Sequence, residues 1–248
     1  MPIRNEMKLF RSSSDDEIKT IRVSTLASYY YCAMKAWLQA QGIESPPNQL
    51  TEDGTKLHNA ITAARPPSQL EIELENHLKQ YMIEEDTGKG STGISGTHNK
   101  VFVREWLENN KVVGKITSHG CDDFRVFPDK TVVIVEYKST GQKIIDWYKL
   151  STAIFQLKVY MWMLEPILKM GGYSIRKAEI VYVNRKGEPL GTKQIVDYDE
   201  RTIEDEIRRV FEQFRDPANM IPPSRFKCYN CHPNFKSRCL FQKGVNPQ

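Results

Sequence analysis

The chain has 248 residues, of which 40% are hydrophobic and 27% are charged. This composition supports a packed core and excludes global disorder, and the length suits one domain with an appendage. The net charge of +4 is compatible with a polyanionic partner. No apolar run approaches the ~20 residues that span a bilayer, and the N-terminus lacks an apolar signal core. We therefore expect a cytoplasmic protein without a membrane segment.

The first part of the chain is predicted to be helical. Residues 1–21 are polar and are predicted to be a lead-in. A Gly/Ser-rich segment, Asp86–Gly96, lacks the GxxxxGK[ST] spacing of a phosphate-binding loop, so we interpret it as a surface loop. Three amphipathic or capped stretches before it predict helices: Ser24–Gly42, Thr51–Arg65 and Glu71–Glu85.

After this loop, the spacing of apolar residues changes to the alternation that is typical of strands. Two hairpins are predicted, at Lys100–Ile116 with a turn at Asn109–Asn110, and at Cys121–Ser139 with a turn at Pro128–Lys130. The elements after them are predicted to be a helix, two strands and an amphipathic helix: Thr152–Met170, Ala178–Gly187, Gln194–Asp199 and Arg201–Phe214. This order indicates an α/β fold with a mixed sheet.

The second hairpin carries the candidate chemistry. Glu136 and Lys138 lie two residues apart in an apolar strand and therefore share a face. Asp122 and Asp123 precede the partner strand, so one aspartate is predicted to lie near Glu136. Converging carboxylates repel each other unless a cation lies between them, and carboxylate ligands suit Mg²⁺ or Mn²⁺. The alternative is a surface hairpin with a solvated Glu–Lys pair.

A series of motifs resembles the PD-(D/E)XK nucleases in their RecB-like branch. Gly120–Asp123, Glu136–Lys138 and Gln156–Tyr160 are similar to the GxxD, (D/E)xK and QxxxY motifs, in that order. Upstream, Gly54–His58 resembles the helix motif in which a histidine completes the metal site. The resemblance implies a restriction-endonuclease-like core, with a mixed central sheet flanked by helices, and the activity of a divalent-metal-dependent deoxyribonuclease.

The resemblance also implies roles for individual residues. Lys138 is expected to position the attacking water, and Gln156 and Tyr160 are expected to lie over the site. The GxxD spacing selects Asp123, and alternation then assigns Asp122 to the opposite face, in a salt bridge. The implied metal ligands are His58, Asp123, Glu136 and the backbone carbonyl of Tyr137.

The cysteines extend the resemblance to the iron–sulfur exonucleases associated with CRISPR systems. It implies a nuclease core over residues 22–216 and a cluster-binding tail over residues 217–248, packed on an N-terminal helix. Four thiolates can hold a 4Fe–4S cluster, and the implied ligands are Cys32, Cys228, Cys231 and Cys239. A 2Fe–2S cluster or a zinc ion, with His232 as an alternative ligand, stays open. Cys121 matches no motif and is predicted to be a buried thiol.

The leading functional hypothesis is a metal-dependent DNA exonuclease acting on single-stranded ends, in CRISPR spacer acquisition or DNA repair. Its partners would be DNA and a CRISPR integrase, and rings or dimers of the chain stay open. One alternative is a cluster-stabilised DNA-binding or partner-docking protein with little nuclease activity. Another is a site-specific endonuclease, although nothing in the sequence resembles a dedicated sequence-reading module.

Overall fold

A computed structural model describes residues 19–43, 49–84, 100–140, 147–223, 228–229 and 231–241. The predicted loop at Asp86–Gly96 lies outside these residues, as does the predicted lead-in up to residue 18. The end of that lead-in is part of the fold, because strand β1 spans Lys19–Arg22 and pairs with a later strand.

The N-terminal helices are shorter than predicted. The expected helix Ser24–Gly42 is divided into α1 (Val23–Ser28) and α2 (Ala33–Ala40). Three consecutive tyrosines separate the two, and aromatic residues are poor helix formers. Cys32 has an extended backbone and caps α2. The other two predicted helices are present as α3 (Gln49–Ala64) and α4 (Gln69–Lys79).

The first sheet has four strands in the order β1-β4-β3-β2. Strand β2 (Ile83–Glu84) takes the end of the stretch that was predicted to be the third helix. Strands β3 (Lys100–Glu108) and β4 (Lys111–Ser118) form the first predicted hairpin. Its turn residues have φ of 50° at Asn109 and 61° at Asn110. Asparagine tolerates this left-handed conformation, which hairpin turns require, and the predicted turn is confirmed.

The second sheet has the order β5-β6-β7-β8 and is mixed. Strands β6 and β7 run parallel and are connected by the long helix α5 (Trp147–Met170), while the outer pairs are antiparallel. A parallel pair requires such a crossover. The strands are β5 (Asp123–Val126), β6 (Thr131–Ser139), β7 (Ser174–Val183) and β8 (Pro189–Val196). The predicted mixed sheet is therefore present, but the fold has two sheets instead of one central sheet.

Helix α5 connects the two sheets through the main core. It packs on β6 and β7 of the second sheet and also contacts β3 of the first. Its side chains Phe155, Leu157 and Met161 are almost fully buried in a cluster with residues of both sheets. Helix α6 (Glu200–Arg215) adds an apolar stripe to this core.

The C-terminal segment packs against α2. A short 3₁₀ turn at Pro217–Asn219 is followed by a brief helix, α7 (Pro233–Lys236). Met220 and Phe235 form a separate apolar cluster with Trp37 of α2. Since this cluster is distinct from the main core, the tail is fastened to the N-terminal helices by its own buried contacts.

Candidate active site

Asp122 and Asp123 face different surroundings at the start of β5. In the register of the hairpin, Asp123 pairs with Val135, whose side chain belongs to the apolar cluster on the α3 side of the sheet. Directly paired residues share a face, so Asp123 points away from the face that carries Glu136. Continuing the register by one residue places Asp122 opposite Glu136.

The prediction that Asp123 meets Glu136 is therefore wrong. Both carboxylate oxygens of Asp123 bind groups on the α3 side of the sheet. Oδ1 accepts hydrogen bonds from Arg65 Nη2 at 2.8 Å and from the Phe124 backbone N at 2.8 Å, and Oδ2 accepts one from the Tyr137 hydroxyl at 3.2 Å. The alternation of the two aspartates was predicted correctly, but the two faces were exchanged, and the salt bridge belongs to Asp123.

Asp122 occupies the position that was predicted for Asp123. Its Oδ2 accepts a hydrogen bond from the Tyr137 backbone N at 2.7 Å and lies 3.3 Å from His58 Nδ1. Its backbone carbonyl accepts a hydrogen bond from Thr62 at 3.4 Å. The structure thus brings His58 to an aspartate that shares a face with Glu136.

The strand β6 supplies the second carboxylate and the ammonium group. Glu136 is 4% exposed, and its Oε1 lies 2.6 Å from Lys138 Nζ. Burial raises the pKa of the Glu136 carboxyl, Lys138 opposes this rise, and the negative charge of Asp122 adds to it. Asp122 and Glu136 therefore lie close enough for their negative charges to repel each other.

Helix α5 supplies Gln156, which contacts Lys138, and Tyr160, which contacts Gln156. Gln156 Oε1 accepts a hydrogen bond from Lys138 Nζ at 3.3 Å, and Gln156 Nε2 donates one to the Tyr160 hydroxyl at 2.7 Å. The two residues are one turn apart and so share a helix face. Burial raises the pKa of Tyr160, and the Glu136 charge raises it further. Gln156 and Tyr160 therefore hold the ammonium group in place.

The main chain of Tyr137 faces Asp122. Its N–H binds Asp122, on the side of β6 that β5 leaves unpaired beyond Asp123. In a strand, the N–H and C=O of one residue point to the same side, so the Tyr137 carbonyl points toward Asp122 as well. Its ring lies on the α3 face, where burial and the neighbouring Asp123 raise its pKa.

Two residues of the α3 region were missed by the sequence analysis. Thr62 and Arg65 bind the start of β5, and Arg65 also donates to the Phe124 carbonyl at 2.9 Å and to Glu71 at 2.9 Å. The hydrogen bond to Asp123 is the main cause that raises the pKa of Arg65. These contacts fix α3, and with it His58, against the hairpin. The only sequence signal was their helical spacing from His58.

A cleft of about 400 Å³ opens beside these groups, lined by His58, Thr62, Ala63, Cys121 and Asp122. The Cys121 thiol donates to the Asp123 carbonyl at 3.3 Å, and burial raises its pKa well above the ordinary value. The predicted buried thiol is therefore a wall of the cleft. A space of this size next to two carboxylates can admit a phosphate group and its ligands.

The donor set fits a hard divalent cation. Asp122 and His58 line the cleft, and Glu136 lies on the same face of the hairpin as Asp122. Oxygen donors with one nitrogen suit Mg²⁺ or Mn²⁺. Within the described residues, no group of three His, Cys, Asp or Glu forms a complete metal site as the side chains stand. Since Lys138 holds Glu136 at 2.6 Å, binding of a cation requires that this ion pair adjusts.

The four cysteines named by the sequence form no disulfide among the described residues, and they lie in one region. Burial raises the pKa of Cys32, the backbone N–H of Lys35 opposes this rise, and Cys239, Cys231 and Cys228 add to it. Mutual influence of this kind requires that the sulfurs lie near one another. Cys32 belongs to α2 and the other three belong to the tail, so the fold brings together residues from both ends of the chain.

One family model matches part of the chain. Residues 119–240 match the model of the PD-(D/E)XK nuclease superfamily. This segment is a PD-(D/E)XK nuclease superfamily domain. The nuclease domain includes both aspartates, the β6 motif and the three cysteines of the tail, whereas His58 and Cys32 lie before the matched residues.

Solved structures also resemble the whole chain. The crystal structure of SSO0001 is 19% identical, with a TM-score of 0.43 over 95% of this chain and 91% of that one. A protein from Eubacterium rectale, named "Putative exonuclease", is 10% identical, with a TM-score of 0.42 over 93% and 89% of the two chains. No curated protein sequence matches this chain. Along the described part of the chain, no helix has the length and apolarity to cross a membrane.

Proposed function

We propose that this protein is a divalent-metal-dependent DNA exonuclease that hydrolyses phosphodiester bonds at single-stranded ends. The nuclease domain supports the reaction class. The observation that carries the proposal is the meeting of Asp122 and Glu136 at one end of the β5–β6 hairpin, with Lys138 bonded to Glu136. Such a grouping supplies the charges that phosphodiester hydrolysis needs.

Asp122, Glu136, His58 and the Tyr137 carbonyl would hold the Mg²⁺ or Mn²⁺ ion. When bound, such an ion lowers the pKa of a water molecule and neutralises charge on the phosphate. Asp122 replaces Asp123 in this set because Asp123 is committed to Arg65 and Tyr137. The imidazole of His58 makes the set more tolerant of Mn²⁺ than an all-oxygen set would be.

Lys138 would orient the attacking water and stabilise the charge that builds on the phosphate. Its ammonium group has three donors, of which one contacts Glu136 and one contacts Gln156. The remaining donor is available to a water or a phosphate oxygen. Gln156, itself held by Tyr160 at 2.7 Å, limits the positions that this ammonium group can take.

We further propose that Cys32, Cys228, Cys231 and Cys239 hold a 4Fe–4S cluster. Support comes from four thiols that lie near one another, with Cys239 buried in the tail cluster. A 2Fe–2S cluster or zinc uses the same sulfurs. His232 Nδ1 already accepts a hydrogen bond from the Asn234 backbone at 3.2 Å, which leaves its Nε2 as an alternative zinc ligand. The visible spectrum and the metal content of anaerobically purified protein distinguish these three.

The nuclease test uses the full chain with DNA labelled at either end, single-stranded or duplex, with Mg²⁺, Mn²⁺ or EDTA. We expect metal-dependent release of short products from single strands. Lys138→Ala and Glu136→Gln should abolish cleavage and retain DNA binding. Asp123→Asn is the matched control for Asp122→Asn, because it makes the same chemical change one residue away on the other face of the sheet.

The alternative of a DNA-binding or partner-docking protein predicts a different result. Such a protein would bind the same DNA and release no product with either metal, and this outcome would overturn the nuclease proposal. Uniform internal cuts at one sequence would instead indicate a site-specific endonuclease. The cellular part of the proposal is cytoplasmic trimming of DNA for CRISPR spacer acquisition, with an integrase as partner, or DNA repair. Co-purification of an integrase with the chain tests the first of these roles.

A further inference from the structure

The positive charge of the chain is concentrated in its C-terminal segment. Residues 217–248 contain five of the 35 Lys and Arg and none of the 31 Asp and Glu. Without this segment, the formal charge would be −1 instead of +4. This segment therefore carries a net positive charge that attracts a polyanion.

The described cations of this region are not neutralised by carboxylates. Several cations of the nuclease domain form ion pairs with a carboxylate, as Lys158 does with Glu206 at 2.6 Å and Lys177 with Glu179 at 2.7 Å. In contrast, Lys35 and Lys236 make no ion pair within the described ranges. Binding a phosphate at these two lysines thus breaks no existing salt bridge.

These cations adjoin a row of aromatic side chains. Lys35 Nζ lies 5.8 Å from the ring centre of Tyr31 and 5.5 Å from that of Phe235. Lys236 Nζ lies 5.7 Å from the ring centre of Tyr229 and donates to the Tyr229 carbonyl at 2.7 Å. Both lysines lower the pKa of Cys231, although burial raises it overall, so both lie near this cysteine. We name Tyr31, Lys35, Tyr229 and Lys236 the tail surface.

Tyr229 is the most informative member of the tail surface. It is 80% exposed, although it lies in the chain between Cys228 and Cys231, which are both half-buried. Within the part of the chain that the structure describes, no other aromatic ring packs against it. A single exposed tyrosine has no special meaning, but an open ring beside an unpaired ammonium group presents both a stacking face and a phosphate contact.

We propose that the tail surface binds single-stranded DNA, with Tyr229 stacking on an unpaired base and Lys35 and Lys236 contacting phosphates. Stacking requires the face of a base, which a duplex hides, so the partner is single-stranded. The inference deepens the proposed function, because it assigns the capture of the strand to a surface outside the cleft. The proposed binding does not depend on the base sequence, since every base has a stacking face.

The test measures fluorescence anisotropy of a labelled oligothymidylate of about 15 nucleotides, with full-length protein that carries Glu136→Gln so that the strand stays intact. In this background, Tyr229→Ala should weaken binding by about 5- to 100-fold, the range expected for loss of one stacked base. Tyr229→Phe keeps the ring and should bind within about twofold of its parent. Because the side chain is exposed, neither change should alter the melting temperature.

The phosphate contacts of the lysines are tested by the salt dependence of the affinity for single-stranded DNA. Lys35→Gln should lower the slope of log affinity against log salt by about 0.7, as expected for one lost contact to a single strand. Lys186→Gln is the matched control, since Lys186 is exposed in the β7–β8 loop, and its slope should not change. A duplex of the same length should show no effect of Tyr229→Ala.

Normal single-strand affinity of Tyr229→Ala would overturn the inference, and so would equal losses on single strands and duplexes. A protein partner as the real occupant of the tail surface would give the first of these results. The fate of the proposed function is read separately from metal-dependent cleavage by the wild-type chain. If single-strand binding depends on Tyr229 but the wild-type chain cleaves no DNA, the tail surface is supported and the nuclease proposal is rejected. If the wild-type chain cleaves DNA but binding does not depend on Tyr229, the nuclease proposal is supported and the tail surface is rejected.

Discussion

The two adjacent aspartates allow a sharp test, because each Asp→Asn change affects a different property. Asp123→Asn removes a charge that Arg65 contacts at 2.8 Å and the Tyr137 hydroxyl contacts at 3.2 Å. Asparagine retains the shape and one acceptor, but Arg65 loses a charged partner. A hydrogen bond to a charged group contributes about 1.5–3 kcal/mol, and breaking a fully buried ion pair costs about 3–5 kcal/mol.

The exposure of Arg65 selects the lower part of this range. Its side chain is 39% exposed, whereas that of Asp123 is 8% exposed, so water can solvate the arginine after the change. Arg65 also keeps its two contacts to Glu71 at 2.9 and 3.0 Å. We therefore expect a loss of about 2 kcal/mol in the free energy of unfolding, which for a chain of this size lowers the melting temperature by about 4–8 °C.

Asp122→Asn should have the opposite profile. Asparagine Oδ1 can still accept the hydrogen bond from the Tyr137 backbone, and the change removes repulsion with Glu136. The free energy of unfolding should change by no more than about 0.5 kcal/mol. Cleavage should fall by about 10²-fold or more, because a metal ligand is lost.

Thermal unfolding and single-turnover cleavage of end-labelled single strands with Mn²⁺ measure the two effects on the same samples. Asp123→Asn should cleave DNA at temperatures where it is folded. The reasoning from strand register would be refuted by an Asp123→Asn protein of normal stability that cannot cleave, together with an active Asp122→Asn protein. Such a pair of results would identify Asp123 as the metal ligand, as the GxxD spacing implied.

The remaining predictions concern the ammonium group, acid stability and the tail. Gln156→Ala removes one of the contacts that orient Lys138 and should lower the single-turnover rate by about tenfold, with DNA affinity in EDTA unchanged. Glu71→Gln should lower the melting temperature at pH 7, and this difference from wild type should shrink as the pH falls below 4.5, measured by thermal scans across this range. Burial alone would raise the pKa of Glu71, but hydrogen bonds from the Ser68 backbone and Arg65 bring it below its ordinary value of 4.5, so its contribution to stability is present above that pH and is lost as the pH falls through the lowered pKa. Cys239→Ser should purify without the metal group and melt at a lower temperature than wild type, as metal analysis and thermal scans of the same samples would show.

Much of the fold follows from local patterns. The turn at Asn109–Asn110, the β6 strand and the amphipathic helix α6 were all predicted, because turn residues and apolar periodicity act over a few neighbouring residues. The boundaries were less certain. The stretch Glu71–Glu85 has helical periodicity throughout, but pairing with β3 turns its end into β2.

The sequence by itself determined that an acidic and basic motif lies at the end of an apolar hairpin, and that one cysteine lies early in the chain and three lie near its end. Only the tertiary structure decided which aspartate faces Glu136. That choice depends on the pairing of Asp123 with Val135, and a shift of one residue in strand register exchanges the two faces. Packing of α3 and of the tail likewise brought His58 and Cys32 to partners more than sixty residues away in the chain, because side chains from distant segments meet only when helices dock on a sheet or on each other.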